Sequence, residues 1–270
     1  MVKKSVLVVA LMFFALCSVL SGNAQAVNQK VEICFAVDGS FSMLFLGDPD
    51  GFELQRQSLA NAVSDPALIP RDGTVAISVV QFSSYAQVEV PRTLIDSDAT
   101  ANAVVALINA IEPIYEETAI GEAIAACAGT FKFDAGWKQV IDISTDGGQG
   151  EGVGIKPQDA ADAAITAGVD AINAIAVINP EDPNADNNYA GLKTIVRPQP
   201  AKDIGQGDGF VIRLTTFDDY AAALEQKISY ELRQTLTDVP TMTEWGLIIM
   251  CLLFGGSALF SMRKGVKERG

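Results

Sequence analysis

The sequence predicts an α/β domain: a doubly wound, mostly parallel sheet with one antiparallel edge strand. Two observations carry this. Short runs of β-branched and apolar residues alternate with longer segments of helical periodicity. Most runs are apolar along nearly their whole length, as strands are when helices cover both faces.

The elements follow in order. Lys30–Val37 (KVEICFAV) is a buried strand ending at Asp38. Gly47-Asp48-Pro49-Asp50-Gly51 is a turn before a helix at Phe52–Val63. Asp48 and Asp50 read as turn and cap residues, because the further ligands of a calcium loop are missing. Val75–Phe82 is a second buried strand. Gln87–Val90 alternates and stops at Pro91, as an edge strand in a hairpin does. Val104, Leu107, Ile108 and Ile111 form one helix face, and Ile120, Ile124, Cys127 and Phe131 another. Gln139–Thr145 is a strand running into Asp146-Gly147-Gly148. Within it, Asp142 lies about 13 Å from Asp146, too far to share its ligands, and is expected to be paired or at a solvated edge. Pro157–Ala167 is an Ala-rich helix with proline at its start. Ile172–Ile178 is a strand, and the polar Asn179–Asn188 a surface loop. Gly209–Leu214 is the last strand, and Phe217–Leu232 the closing helix, capped by Thr216 or Asp218.

The two ends of the 270-residue chain are of a different kind. Residues 1–26 read as a secretory signal peptide: Lys3 and Lys4, an apolar stretch, then Ala24-Gln25-Ala26 as a cleavage site. Trp245–Met262 is an uncharged, mostly apolar run of 18 residues, long enough for a membrane helix. Arg263, Lys264, Lys267 and Arg269 follow, placing the tail at 263–270 on the cytoplasmic side. Ahead of the run stands Val239-Pro240-Thr241-Met242-Thr243-Glu244-Trp245-Gly246. This resembles the bacterial IPTL-type C-terminal sorting signal, matched outright at Pro240, Thr241, Glu244, Trp245 and Gly246. The resemblance implies an exosortase-like processing enzyme as a partner in a Gram-negative envelope. The plainer alternative is a membrane anchor with an interfacial tryptophan. The domain is expected over 27–235, and the linker and sorting motif over 236–244. The protein is then exported, anchored in the inner membrane facing the periplasm or processed to the cell surface.

Composition narrows the chemistry. The chain holds 19 Lys+Arg against 33 Asp+Glu and no histidine. That excludes Ser-His-Asp and Cys-His catalysis and the usual catalytic zinc sites. With the ends set aside, Val27–Pro240 carries 13 basic against 31 acidic residues, a net charge of −18. Such a surface argues against a nucleic-acid partner.

In a doubly wound sheet, ligands sit beyond the carboxyl ends of the strands. Three loops there offer oxygen donors. Asp38-Gly39-Ser40-Phe41-Ser42 follows the first strand, and Asp146-Gly147-Gly148 the strand ending at Thr145. Glu116-Glu117-Thr118-Ala119-Ile120-Gly121 opens a helix between them. Carboxylates and neutral hydroxyls suit a hard divalent cation such as Mg²⁺, whereas soft metals need Cys or His.

D-x-S-x-S after the first strand, T-x-I-G-x-A-I at a helix start and S-T-D-G after the fourth strand resemble the von Willebrand factor A (VWA) domain. They look like its metal-ion-dependent adhesion site (MIDAS). The likeness runs over Lys30–Arg233. The segments Phe52-Glu53-Leu54-Gln55-Arg56 and Val140-Ile141-Asp142-Ile143-Ser144 further resemble an uncharacterised bacterial branch of that superfamily. The resemblance implies that Asp38, Ser40, Ser42, Thr118 and Asp146 hold Mg²⁺, or Mn²⁺, some directly and some through water. A carboxylate from a protein ligand would complete the octahedron. One departure is Glu116-Glu117, where the family often has Gly-Gly. Glutamate is long enough to point away, so these read as solvated charges at a helix N-terminus. The other reading is that one of them joins the metal site or blocks its open position.

Cys34 and Cys127 are the cysteines of the exported part; Cys17 and Cys251 lie in the terminal segments. Export permits a disulfide, yet both positions also suit small buried hydrophobes, and the two readings stay open. The functional expectation is a binding module rather than an enzyme. The alternative is a structural envelope or matrix protein whose metal only stabilises the fold.

Overall fold

The computed structural model describes residues 30–45, 50–150 and 153–237. The expected signal peptide, Asp48, the sorting-signal residues Pro240, Thr241, Glu244, Trp245 and Gly246, the run 245–262 and the basic tail lie outside them. Among the described residues, no helix is long and apolar enough to cross a membrane. Asn28–Thr235 forms a compact unit.

Its strands are β1 (Lys30–Asp38), β2 (Val75–Phe82), β3 (Ala86–Ile95), β4 (Trp137–Thr145), β5 (Ala171–Val177) and β6 (Val211–Leu214). Its helices are α1 (Gly51–Ser64), α2 (Asp98–Asn109), α3 (Ile120–Thr130), α4 (Pro157–Ala167), α5 (Ala185–Ile195) and α6 (Tyr220–Thr237). The strands form one sheet in the order β3-β2-β1-β4-β5-β6. All pairings are parallel except β2 with β3.

Strand alternation sends successive side chains to opposite cores. Ile33, Phe35 and Val37 pack with α1, α2 and α6. Cys34 and Ala36, their neighbours in sequence, pack with α3, α4 and α5. The two cores explain why β1 and β2 are apolar on both faces.

Local chemistry sets most boundaries. Asp50 caps α1, accepting from Glu53 N at 2.8 Å. Ser97 and Thr100 form a capping box at α2. Pro157 occupies the first turn of α4, and Gly168 ends it in the left-handed conformation at φ 112°.

Several expectations need correction. β3 does not stop at Pro91. It runs to Ile95, because two irregularities in the β2–β3 register let the edge strand pass the proline without a ladder bond there. Leu107 is 44% exposed, so the buried face of α2 rests on Ala101, Val104 and Ile108. Only the first part of Asn179–Asn188 is loop. Ala185 begins α5, a helix hidden in sequence by its asparagines and glycine and stabilised by burial of Ala185, Leu192 and Ile195. The last strand begins at Val211 rather than Gly209. The closing segment starts with a short 3₁₀ turn at Phe217–Asp219, and Thr216 makes no side-chain capping bond.

Asp142 is buried and paired. Lys227 of α6 reaches it as an ion pair, and Lys227 Nζ lies 3.6 Å from Glu231 Oε1. All three side chains are 0–1% exposed. Asn173 of β5 donates to Glu231 at 2.7 Å and accepts from Gly209 N at 2.8 Å. Tyr220 donates to Ser144 at 2.7 Å. These bonds fasten the terminal helix to the middle of β4 and β5.

The cysteine alternatives resolve in favour of a disulfide between Cys34 on β1 and Cys127 on α3, with Cα atoms 5.5 Å apart and 93 residues between them.

Two stability predictions follow from this packing. Lys227→Met strands the Asp142 carboxylate and should cost about 3–5 kcal/mol in urea unfolding, whereas the apolar replacement K227M/D142L/E231L should recover most of it. An unchanged midpoint for K227M would contradict the pairing. Removing the cross-link with C34A/C127A should cost about 2–5 kcal/mol, and reduction of the wild type should lower the unfolding midpoint in the same direction.

Candidate functional site at the split of the sheet

β1 lies between β2 and β4, and the chain leaves these two central strands toward opposite faces: β1 into α1, β4 into α4. Their carboxyl ends therefore diverge over a crevice, the position that open α/β sheets use for ligands. Asp38 ends β1 on one side of it. Thr145 ends β4 on the other, followed by Asp146.

The first loop is tightly held. Gln55 of α1 donates to the Asp38 carbonyl at 3.1 Å. Gly39 N donates to the Phe82 carbonyl at 2.8 Å. A Cβ at Gly39 would meet the amide end of the Gln81 side chain, which would have to shift and give up its bond to the Glu112 carbonyl. Ser40 N then donates to Asp38 Oδ1 at 2.8 Å, folding the loop back on its own carboxylate.

The Glu116–Thr118 loop is laced to the first. Phe41 N donates to the Glu116 carbonyl at 2.9 Å, and Tyr115 N to the Gly39 carbonyl at 2.7 Å. Ser83, fully buried after β2, donates through Oγ to the Glu117 carbonyl at 3.0 Å and accepts from Glu116 N at 2.7 Å. Tyr115 is held at φ 57°, an uncommon conformation for a non-glycine residue. Gly121 in the T-x-I-G stretch is explained by packing: a Cβ there would meet the Ile155 carbonyl.

The structure brings four of the five expected residues into one chain of contacts. Ser40 Oγ and Ser42 Oγ are 3.1 Å apart, and Ser42 Oγ donates to Asp146 Oδ1 at 2.9 Å. Asp38 joins through its bond to Ser40 N and accepts from Thr145 Oγ1 at 2.6 Å. Thr118 is the fifth. It lines an open depression of about 570 Å³ together with Ser40 and Ser42. Glu116 and Glu117 are exposed and are among the residues that line that same depression.

Residues not singled out from sequence complete the site. Thr145 orients Asp38, Gln55 clamps the end of β1, and Ser83 fixes the Glu116–Glu117 backbone. Thr145 and Gln55 stood inside quoted motifs, but nothing in their spacing assigned them a partner.

Electrostatics make this a poor resting place for two carboxylates. Burial pushes the Asp38 carboxyl up from its ordinary 3.8, against hydrogen bonds from Ser40 and Thr145 that favour the ionised form. Asp146 is pushed up to about 7, first by burial and then by the charge of Asp38, with Asp182 adding a smaller push. No basic side chain is among the groups acting on either. Among the described residues, no group of three or more His, Cys, Asp or Glu side chains could hold a metal. The donors here are instead two carboxylates and neutral hydroxyls, which fit a hard cation that keeps several waters.

The sign of the pH effect follows. A carboxyl whose folded pKa is raised binds more protons folded than unfolded, so stability falls as pH rises between the two values. For Asp146 that window is about 4 to 7. With chelator present, the melting temperature should therefore fall between pH 5 and pH 8, and fall less in Asp146→Asn. Equal slopes for the two proteins would contradict the assignment.

Comparisons with known proteins bear on the family and the fold. The family model described as a protein of unknown function (DUF1194) matches residues 28–236, and the IPTL-CTERM motif matches residues 239–264. No curated protein matches the sequence. Among solved structures, an aerotolerance-related membrane protein from Bacteroides fragilis superposes with a TM-score of 0.53 at 23% identity, over 73% of this chain and 98% of that one. Proximal thread matrix protein 1 of the mussel byssus, in a form described with a zinc-occupied MIDAS motif, gives 0.56 at 20% identity over 76% of this chain and 46% of that one. The pilus adhesin SpaC of Lactobacillus rhamnosus GG gives 0.58 at 13% identity over 80% and 31%. At these identities the likeness is one of fold, and the fold is the VWA type. The chain thus belongs to the DUF1194 family, a VWA-like family, and carries a C-terminal IPTL-type sorting motif.

Proposed function

We propose that this protein is an exported envelope or surface binding module, not an enzyme. Its VWA domain holds a divalent cation and captures a partner's carboxylate through it. The observation that carries this is the contiguous set of oxygens from Asp38, Ser40, Ser42 and Asp146, acted on by no basic group. A cation among them would replace the Ser40–Ser42 and Ser42–Asp146 contacts and offset the repulsion between the two carboxylates. Thr118 stands at the same depression as a further oxygen donor. Mg²⁺ is the first candidate and Mn²⁺ the second, from the hardness of the donors. Zinc is worth testing beside them, since the similar byssus protein is described with zinc at its MIDAS motif.

The C-terminal segment supplies the placement. The IPTL-CTERM match supports export and handling by an exosortase-like enzyme. Trp245–Met262 then acts as a membrane helix with its basic tail in the cytoplasm, until or unless it is removed. A second reading, a matrix protein whose cation only stabilises the fold, draws on the byssus relative, itself a thread matrix protein.

Calorimetric titration of residues 28–235 with Mg²⁺, Mn²⁺ and Zn²⁺ tests the cation. Binding is expected, and Asp38→Ala should weaken it roughly 10–100-fold, the usual effect of removing a group that orients metal ligands. An intact domain that takes up none of the three metals would sink the proposal. Capture of envelope proteins on the immobilised domain, with and without chelator, separates the two readings. Chelator-sensitive capture supports the binding module, and metal uptake without capture supports the matrix role.

A further inference from the structure

The interior between β4 and α6 holds an amine against a carboxyl with no water around them. Two contacts set the helix on the strand. Tyr220 donates to Ser144 Oγ at 2.7 Å, and Lys227, two turns further along α6, meets Asp142, the next residue on the same face of β4. Asp142, Lys227, Glu231 and Asn173 are 0–1% exposed, so bulk water does not reach them. Lys227 Nζ bears on Asp142 Oδ1 and stands 3.6 Å from Glu231 Oε1. Asn173 Nδ2 donates to that Glu231 oxygen at 2.7 Å and holds it in place. The Phe210 ring lies 5.9 Å from Nζ. Among the described residues, neither Asp142 oxygen has a hydrogen-bond partner apart from Lys227, and Glu231 Oε2 has none. A buried ion pair offsets its desolvation only when its remaining protons and lone pairs are bonded, and these are not.

We infer that Lys227 and Asp142 condense to an intramolecular amide bond that joins α6 to β4, with Glu231 as the proton-transfer group. The ion pair is the state before reaction. A proton leaves Nζ, and the freed lone pair attacks Asp142 Cγ. The N–C bond forms, one C–O bond breaks, and that oxygen departs as water. Both protons of the water come from the ammonium, so the two charges vanish together and no oxidant or second reactant is needed. Glu231 takes a proton from Nζ, passes one to the leaving oxygen, and ends as it began. Its carboxyl is pushed up to about 7, first by burial; Lys227 opposes this, Asp142 adds to it, and Asn173 and Lys138 oppose. A group of that kind both accepts and gives a proton near neutrality. Burial also pushes the Asp142 carboxyl up, against the charge of Lys227, which disfavours the carboxylate form that resists attack. Held in contact, amine and carboxyl react as if at effective molarities of about 10⁵–10⁸ M. The dry surroundings keep water from reversing the step. The bond fastens the last helix before the sorting motif, so a pull on the C-terminal segment is borne by the middle of the sheet rather than by packing alone.

Peptide mapping of the purified, reduced full chain reads the bond directly, whatever processing occurs at the two ends. In a tryptic digest, the fragment beginning at Gln139 should be joined to residues 214–233, uncut at Lys227, at the sum of the two masses less one water. Fragmentation should place the junction between Asp142 and Lys227. A wild-type map with both fragments free and the chain cut after Lys227 would overturn the inference. So would a lost water confined to residues 214–233, which puts the bond on Glu231. D142A should abolish the joined species. E231Q, which keeps an oxygen for Asn173, should slow its appearance roughly 10²–10⁴-fold, the usual weight of a positioned proton-transfer group. E231D, which keeps the acid but draws it back, should slow it less. Cooperative urea unfolding of each variant shows that an unjoined chain is nonetheless folded. Joining of folded E231Q at the wild-type rate would remove Glu231 from the reaction, while the wild-type map decides the bond by itself.

Discussion

The organising constraint of this domain is a carboxylate buried at the split of its sheet. Asp38 is fully buried at the end of β1, and the groups that satisfy it are a backbone amide and hydroxyl oxygens rather than a base. Burying such a charge is costly unless something compensates it, and hydrogen bonds alone compensate it only in part. Much of the surrounding loop structure serves to hold those bonds. Gln55 fixes the strand end, Gly39 permits the tight path past Gln81, and Thr145 crosses from β4 to the second carboxylate oxygen. Asp146, after the next strand end, is raised to about 7 first by burial and then by the charge of Asp38. The two carboxylates face each other with no basic side chain acting on either.

A fully buried acid within β4 shows the contrast. Asp142 lies four residues before Asp146 and is the more deeply buried of the two, yet α6 delivers Lys227 to it, and Lys227 also faces Glu231, to which Asn173 donates. β4 thus carries a carboxylate neutralised within the fold, and the residue after it one left to hydroxyls. The internal pair binds the terminal helix to the sheet; the other faces the crevice. Glu231, pushed up to about 7 by burial despite Lys227 nearby, shows that even the paired cluster holds one more acid than its lysine balances.

How much of this was legible in the sequence depends on the range of the interaction. β2 and α4 are read to the residue, because an apolar run and a proline at a helix start are local signals. The Asp38, Ser40 and Ser42 grouping was legible too, since an i, i+2, i+4 spacing places the three oxygens close together without any long-range contact. α5 was not, because Asn187, Asn188 and Gly191 disfavour a helix that burial of Leu192 and Ile195 nevertheless secures. Nor was the passage of β3 through Pro91, which depends on bulges set by its partner strand. Asp142 illustrates the limit best. Its spacing excluded it from the candidate metal site, but its partner lies 85 positions away, on a helix that only packing brings close.

By itself the sequence determined the fold class, the absence of histidine chemistry, the acidic surface and the residues at each strand end, because composition and periodicity act locally. Tertiary structure alone decided that Cys34 and Cys127 are bonded, that Lys227 neutralises Asp142, and that Glu116 and Glu117 line one depression with Ser40 and Ser42. Those outcomes turn on distances between segments far apart in the chain, which are fixed only when helices pack on both faces of the sheet and its central strands part at β1 and β4.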